Sequence, residues 1–158
     1  MKKFNIVTLI ISLAIPILVG LLSSSLSSNG MANYGMMNKP PASPPAIVFP
    51  IAWTLLYLMM GLASYYIYNS TLDNKLRSFL LILYVVQLAM NFMWSIVFFN
   101  WHMYLFAYIW LIVMLLLVIV LAFKALALSK TATLLLIPYI LWLTFASYLN
   151  LGAFLLNR

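Results

Sequence analysis

Cysteine is missing from this sequence of 158 residues, which also contains only one acidic residue and one histidine. Without cysteine there is no disulfide, no thiol catalysis and no cysteine metal site. Asp73 and His102 both lie in short polar breaks, outside the apolar runs. Ion-coupled transport requires a titratable group deep in the membrane, and the runs offer none. Paired-carboxylate chemistry, histidine general-base catalysis and a multi-ligand metal site are excluded as well, and we expect no metal and no resident cofactor.

Charge is also scarce, since charged residues make up 6% of the chain and hydrophobic residues 67%, with a mean hydropathy of +1.14. A soluble domain cannot bury that much apolar surface, whereas a bilayer lets it face outward. The net charge of +7 comes from eight basic residues scattered between apolar runs. That pattern is typical of membrane topology and not of a phosphate-binding surface, so we expect a lipid bilayer and no nucleic acid as partner.

Five apolar runs are long enough to cross a membrane, which takes about 20 residues for a hydrocarbon core of about 30 Å. Only the first break between them, SSNGMANYGMMNKPPASPP, is long. Short connections make successive helices antiparallel neighbours. The sequence shows no internal repeat, which argues against an inverted-repeat transporter. We therefore predict an all-α integral membrane protein, a single domain (residues 1–158) of five transmembrane helices with a long structured loop between helices 1 and 2. The predicted spans are residues 5–27, 46–69, 78–99, 104–128 and 132–156.

The basic residues predict the orientation of the bundle. Six fall on the side of the N-terminus, and only Lys39 and Arg158 fall on the other side. The positive-inside rule places the side with six in the cytoplasm and the proline-rich loop outside. The first run follows two lysines as a signal peptide would, but its length and poor cleavage pattern indicate a retained span. The six residues are Lys2, Lys3, Lys75, Arg77, Lys124 and Lys130.

The second predicted helix carries Trp53, Tyr57 and Gly61 at intervals of four, and therefore on one face. A flat aromatic wall above a glycine suits a planar ligand or a close helix crossing, and an aromatic belt with a packing glycine is the alternative. The stretch KPPASPP before this helix reads as a stiff lid, because proline fixes φ and biases the preceding residue toward extended geometry.

The third predicted helix places aromatic and amide side chains on one narrow face. Its two amides would be costly against lipid, so this face is expected to look into the bundle. Interhelical hydrogen bonds of about 1 kcal/mol each would explain the amides, while the aromatic neighbours favour a cavity. The face consists of Tyr84, Gln87, Asn91, Trp94 and Phe98.

The fifth predicted helix repeats this theme with Pro138, Trp142, Ala146 and Asn150 at intervals of four. A small residue between an indole and an amide leaves room for a ligand, although the same spacing also suits a packed helix face. The fourth run is almost uniformly aliphatic, which indicates a lipid-facing helix.

Three blocks of this sequence resemble the translocator protein/tryptophan-rich sensory protein (TspO/MBR) family, also called peripheral-type benzodiazepine receptors. They are YGMMNKPPASPPAIVFPIAWTLLYLMMGLAS, QLAMNFMWSIVFF and PYILWLTFASYLN, which begin at residues 34, 87 and 138. They occur in order, at the family's spacing, and cover most of the chain.

The resemblance implies a five-helix bundle, often dimeric, with a pocket beneath the first loop for porphyrins and for isoquinoline or benzodiazepine ligands. Trp53 and Trp142 match the two tryptophans linked in bacterial relatives to light-dependent breakdown of protoporphyrin IX. Asn91, Ala146 and Asn150 match pocket-lining positions. With the faces above, the expected ligand-binding residues are Tyr34, Lys39, Pro44, Pro45, Trp53, Tyr57, Gln87, Asn91, Trp94, Phe98, Trp142, Phe145, Ala146 and Asn150.

The chain departs from the family pattern in places. Family members often have tryptophans where this chain has Asn33 and Ala42, and Leu151 stands where the cholesterol motif of some animal members has tyrosine. Because Tyr148 is also too far from Arg158 to complete that motif, we expect no sterol recognition. The lack of an organellar extension suits a prokaryotic cytoplasmic membrane.

Three functions are compatible with these residues. The leading one is a membrane receptor for tetrapyrroles such as protoporphyrin IX and other haem precursors, with flat apolar rings stacked on indoles. The second is light- and oxygen-dependent porphyrin degradation, with Trp53 and Trp142 as the catalytic residues. The third is transport of porphyrin or lipid, which would be passive or driven by a partner because coupling residues are missing.

Overall fold

The computed structural model describes residues 4–158, apart from the side chains of residues 31–33. Lys2 and Lys3, which contribute to the predicted orientation, and the side chain of Asn33 therefore lie outside the described part of the protein. Within that part all regular secondary structure is helical, without a β-strand.

Five helices form the protein, and each is long and apolar enough to cross a membrane. A 3₁₀ turn follows the first, and a π-helical turn continues the third. This confirms the predicted class, a multi-pass α-helical membrane protein. The elements are α1 (Ile6–Asn33), the 3₁₀ turn (Tyr34–Met36), α2 (Val48–Asn69), α3 (Asn74–Ser95), the π turn (Ile96–Asn100), α4 (Tyr104–Ala125) and α5 (Lys130–Leu156).

The helices begin and end where caps and packing dictate, and not where hydropathy changes. α3 begins at Asn74, four residues before the predicted span, because the Asp73 carboxylate accepts a hydrogen bond from the Leu76 amide at 2.9 Å. Ser129 caps α5 in the same way. α1 continues six residues beyond Ser27 to Asn33, through polar residues that were expected to form the loop. The loop between the first two helices is correspondingly shorter.

α1 packs first against α2 and then against α3. Gly61 of α2 lies so close to α1 that an added Cβ would stand 2.7 Å from the Ser12 carbonyl oxygen, so this glycine serves a close helix crossing. Further along α1, a Cβ on Gly20 would overlap the Tyr57 ring. Beyond Gly20, α1 turns to α3: a Cβ on Gly30 would overlap the Phe99 backbone carbonyl.

Two hydrogen-bonded connections define the two ends of the bundle. At one end Ser70 Oγ donates to the Leu128 carbonyl at 3.3 Å, which ties the 2–3 loop to the 4–5 turn. At the other end Asn38 and Asn157 bond to each other, which ties the 1–2 loop to the C-terminus. We call the first the basic end and the second the loop end. The basic end carries Lys75, Arg77, Lys124 and Lys130.

The core of the bundle involves α2, α3, α4 and α5, including a stripe of α4 that the sequence did not reveal. Leu111, Met114, Val118 and Leu121 of α4 are at most 1% exposed, although Val113, Leu116 and Phe123 on its other faces are exposed. A helix that is apolar all round shows no periodicity, so its buried stripe cannot be told from its lipid-facing surface.

Candidate ligand-binding cavity

A cavity of about 480 Å³ lies at the loop end, between α1, α2, α3 and α5. Pockets that hold drug-sized molecules fall in this range of volume. Aromatic, aliphatic and small residues form nearly all of its wall. The lining residues are Ile17, Gly20, Leu21, Ser23, Ser24, Tyr34, Ala46, Phe49, Pro50, Trp53, Thr54, Tyr57, Trp94, Ser95, Phe98, Phe99, Ala146, Leu149 and Asn150.

Stacked aromatic pairs form two of the cavity walls. The Trp53 and Tyr57 rings of α2 stack with centroids 5.5 Å apart, as the interval of four residues predicts for one helix face. Across the cavity, Trp94 of α3 stacks on Phe98 at 5.4 Å. The π turn positions Phe98 and the neighbouring Phe99, whose rings meet edge to face at 4.9 Å. Such turns, with one extra residue in the helix, occur frequently at functional sites.

The polar groups on the wall are neutral. The Trp94 indole N–H donates to Asn150 Oδ1 at 3.2 Å, which leaves the buried Asn150 Nδ2 without a partner in the described part of the chain. That amide nitrogen is buried away from the surface of the cavity, so only the Asn150 side chain as a whole, and not this donor, belongs to the wall. None of the described lining residues is an acid, a lysine, an arginine or a histidine. The cavity therefore suits a largely apolar, planar molecule.

The 1–2 loop covers the cavity and is fastened to α5. Asn157 Oδ1 accepts from the Asn38 amide at 3.0 Å and Asn157 Nδ2 donates to the Asn38 carbonyl at 2.9 Å. The Tyr148 hydroxyl donates to the Pro41 carbonyl at 2.7 Å, and Pro40 packs against Gly152. The loop is thus an ordered lid, as the proline-rich stretch predicts.

One side of the cavity faces the lipid. α1 touches α2 up to Gly20 and then turns toward α3, where Ser23 Oγ donates to the Phe92 carbonyl at 3.3 Å. Beyond this point the cavity opens sideways between α1 and α2, and we call this opening the lateral gap. The gap is lined by cavity residues that are also exposed on the outer surface, namely Leu21, Ser24, Pro50 and Thr54.

Half of the predicted ligand-binding residues line the cavity directly. Lys39 lies outside the lining, with its ammonium 4.7 Å from the centre of the Tyr34 ring. Burial raises the pKa of Tyr34 above its ordinary value. Pro44 and Pro45 are in the lid but outside the lining. The residues on the wall are Tyr34, Trp53, Tyr57, Trp94, Phe98, Ala146 and Asn150.

Trp142 and Phe145 stand one layer behind the wall. The Trp142 indole meets Trp53 edge to face at 6.2 Å and Phe49 at 6.0 Å, so it buttresses two residues that do line the cavity. Its buried indole N–H has no partner in the described part of the chain. Phe145 packs on the outer side of Trp142 at 5.9 Å.

Gln87 and Asn91 lie beneath the cavity floor in a chain of hydrogen bonds. The Tyr57 hydroxyl donates to Asn91 Oδ1 at 2.8 Å, and Asn91 Nδ2 donates to the Tyr139 hydroxyl at 3.1 Å. Tyr139 then donates to Gln87 Oε1 at 3.0 Å. The two amides join α2, α3 and α5 through interhelical hydrogen bonds, which is one of the two roles that the sequence predicted for them. We call these four side chains the polar chain.

Comparison with known proteins agrees with this architecture. The model of the TspO/MBR family matches residues 12–156. This chain belongs to the TspO/MBR family. It is 34% identical to the tryptophan-rich protein TspO of Archaeoglobus fulgidus over 154 residues, covering 97% of this chain and 99% of the relative.

Two further relatives carry different names. The translocator protein homolog of Schizosaccharomyces pombe is 42% identical over 128 residues, which cover 79% of this chain and 77% of the relative. The tryptophan-rich sensory protein of Cereibacter sphaeroides is 36% identical over 124 residues, covering 78% and 76%. The resemblance seen in the three sequence blocks is therefore confirmed, and it extends beyond them to most of α1.

The contribution of α1 to the cavity was missed by the sequence reasoning. Gly20, Ser23 and Ser24 sit in a run that looks like an ordinary span, yet they form one wall of this TspO/MBR cavity. The cluster of small residues in GLLSSSLSSNG is the available clue, because small residues allow close approach of helices in membranes. Phe49 and Phe99 were also missed; they differ from the apolar residues around them only by their rings.

Proposed function

We propose that this TspO/MBR member is a membrane receptor for tetrapyrroles, of which protoporphyrin IX is the test case, and that the same cavity accepts isoquinoline or benzodiazepine-type ligands. The observation that carries the proposal is the wall of stacked rings, Trp53 on Tyr57 and Trp94 on Phe98, around a neutral cavity. A porphyrin is a large, flat, apolar disc that gains free energy by stacking on such rings.

The polar groups around the cavity fit the edge of such a ligand. Ser24 and Thr54, which carry hydroxyl groups, are among the lining residues. Lys39 stands at the lid above Tyr34, where a propionate would reach the membrane surface. A cation placed outside the apolar wall pairs with an anionic group without burying either charge.

Titration of the protein with protoporphyrin IX, followed by the absorbance of the porphyrin, tests this proposal. Replacing Trp53 by alanine removes half of a stacked pair and should weaken binding strongly, and Trp142→Ala should weaken it less because that ring acts through Trp53 and Phe49. Trp101→Ala is the matched control, since Trp101 is exposed and lies outside the cavity lining. Binding that survives the double replacement of Trp53 and Trp142 would contradict the site.

A second function, photo-oxidative degradation of the bound porphyrin, is favoured by the contact between two indoles. Trp53 lines the cavity and Trp142 touches it edge to face at 6.2 Å. In this proposal a photoexcited porphyrin takes an electron from Trp53, and Trp142 shares the resulting hole. Dioxygen adds to the porphyrin radical anion, and return of the electron to the indole leaves a net addition of one dioxygen to the opened ring. No general acid or base is needed for this, which is compatible with a cavity whose described wall lacks them.

Illumination of the porphyrin complex in air tests the second function. Trp53→Phe keeps an aromatic ring for stacking but removes the more easily oxidised indole, so it should slow bleaching more than it weakens binding. Bleaching of the wild-type complex at the rate of free porphyrin in detergent would rule degradation out and leave the receptor proposal standing.

The assembly and orientation of the protein are proposed on the same basis. We expect a homodimer in the cytoplasmic membrane of a prokaryote, with the basic end in the cytoplasm. Because the chain has no cysteine of its own, single cysteines at Ser129 and Ser43 report the two ends. Labelling of intact cells by an impermeant maleimide should reach only the Ser43 position, and the reverse pattern would overturn the orientation.

A further inference from the structure

The polar chain is directional, because each of its hydroxyl and amide groups donates to the next one along; the Tyr139 hydroxyl additionally lies 3.8 Å from the Met114 sulfur, a weaker acceptor. Tyr57 donates to Asn91, Asn91 donates to Tyr139, and Tyr139 donates to Gln87. The chain thus starts at the cavity, where Tyr57 is on the wall, and ends at the carbonyl oxygen of Gln87. The Gln87 amide nitrogen, with two N–H groups, points onward from that end.

Two buried polar atoms at this end have no hydrogen-bond partner among the described residues. They are Gln87 Nε2 and the Tyr84 hydroxyl, on side chains that are 0% and 4% exposed. Because residues three apart lie on the same helix face, both belong to one site near the middle of α3. Ser64 of α2 also faces this site, within side-chain hydrogen-bonding range of the Tyr84 hydroxyl but without the geometry of a direct bond, and Tyr139 of α5 lies near it.

The geometry points to a buried water molecule between Gln87 and Tyr84, at the far end of the polar chain. Leaving such groups without partners in the hydrocarbon region is costly, because no solvent there replaces the missing hydrogen bonds. One water satisfies both: it accepts from Gln87 Nε2 and exchanges a bond with the Tyr84 hydroxyl. It also donates to Ser64 Oγ, whose proton is already given to the Gly61 carbonyl at 2.8 Å. Buried waters typically make about three such bonds.

The chemistry of the site selects water over an ion. A cation needs oxygen ligands, but Gln87 Oε1 already accepts from Tyr139 and the atom left over is a nitrogen donor. An anion would match the donors, but every lysine and arginine of the described chain lies in a loop or near a helix end, away from this site. An unpaired buried charge is far more costly than a buried water.

The site can be observed directly because Gln87 is the only glutamine in the sequence. A sample labelled with ¹⁵N in glutamine side chains, reconstituted in liposomes, gives a single amide signal by solid-state NMR. We expect magnetisation to pass from water protons to this signal. The exposed Asn38 amide in an asparagine-labelled sample is the positive control.

Two conservative variants decide whether the water is the one proposed. Tyr84→Phe removes one of its partners and should abolish or greatly reduce the water transfer to Gln87. Tyr66→Phe, a half-buried tyrosine that packs on the core outside the polar chain, should leave it unchanged. Absence of transfer in the wild type, or transfer that Tyr84→Phe leaves intact, would overturn the proposal.

The polar chain also connects this water to the cavity. The prediction that follows from this connection rests on the proposed function, because it requires porphyrin to bind in the cavity. A ligand acceptor that takes the Tyr57 proton withdraws the donor from Asn91, so the Gln87 signal should shift when protoporphyrin IX binds. In Tyr57→Phe the shift should be absent. An unmoved Gln87 signal with porphyrin bound overturns the connection, whereas failure of the porphyrin to bind at all contradicts the receptor proposal and leaves the water result standing.

Discussion

The loop end and the basic end of the bundle differ in how α1 is placed. At the basic end the core closes on itself, with Ile67, Leu80, Leu121 and Leu136 fully buried. At the loop end α1 has left α2 for α3, and the space between them is the cavity. The lid, Pro40 included, is fastened beside that space to the C-terminal part of α5 and to Asn157. The packed core at the basic end therefore stabilises the fold, whereas the loop end contains an unfilled cavity that contributes less packing.

The polar chain lies between these two ends. Buried amides in a membrane helix pair are worth about 0.6–2 kcal/mol each when they bond across helices. Here they fix the relative position of α2, α3 and α5 immediately under the cavity floor. The floor is thereby held by hydrogen bonds, which are directional, while the basic end is held by apolar packing, which is not.

Of the predictions that distinguish the two ends, the largest effect is expected when a buried side chain at the basic end is shortened. Leu136→Ala removes a fully buried side chain and should lower the free energy of unfolding by about 2–5 kcal/mol, with little change in ligand affinity of the folded protein. Thermal unfolding in detergent and porphyrin titration measure the two quantities. Leu134→Ala, on the exposed face of the same helix, is the control. If Leu136→Ala instead lowered the affinity for porphyrin and left the free energy of unfolding unchanged, the proposed distinction between the two ends would be wrong.

A smaller loss of stability is expected where α1 joins α3. In Gly30→Ala the new Cβ meets the Phe99 backbone carbonyl, which cannot rotate away as a side chain can. Overpacking of this kind costs about 1–3 kcal/mol, and here it should also reduce ligand binding because Phe99 is on the cavity wall. Gly35→Ala has open space within 4 Å and should behave as wild type. Equal melting temperatures for the two variants would show that α1 does not press on the π turn.

The fastening of the lid should contribute less again. Asn157→Ala removes two hydrogen bonds to Asn38 and frees the loop; because both bonds are solvent-exposed and water replaces them, the two together should be worth only about 0.5–1.5 kcal/mol. We expect faster release of bound porphyrin with a minor change in melting temperature, measured by stopped-flow displacement. Thr144→Ala, which removes a bond within α5 only, is the matched control. Unchanged release from Asn157→Ala would mean that the lid does not retain the ligand.

Cavity residues could be predicted best from the sequence where their side chains are of a kind that is uncommon in a membrane-spanning helix. Aromatic and amide side chains at helical spacing pointed to Trp53, Trp94 and Asn150, because such groups are costly or distinctive in lipid. It placed Gln87 and Asn91 on the correct face but could not distinguish a cavity wall from the layer behind it. That distinction depends on side-chain partners such as Tyr139, which come from another helix.

The path of α1 could not be read from hydropathy at all. Its polar end, SSNGMAN, looks like a loop, and remains helical because Gly30 packs against Phe99 and Asn100 Nδ2 donates to the Leu26 carbonyl at 2.8 Å. These contacts join residues about 70 positions apart, so they cannot be predicted from the local sequence pattern. The lateral gap, which depends on that path, was equally invisible.

The lateral gap gives the last test, which concerns rate and leaves stability almost untouched. A cysteine at Thr54, unique in this chain and on the edge of the gap, can carry a bulky apolar maleimide. If ligand enters from the lipid between α1 and α2, the labelled protein should take up porphyrin more slowly than the unlabelled one. Thr144→Cys, on the exposed side of α5, is the control for labelling itself. The same label at Ser43, on the lid, should have little effect. If instead Ser43 slows uptake and Thr54 does not, the ligand passes under the lid, and the separation of α1 from α2 shapes the cavity without serving as its entrance.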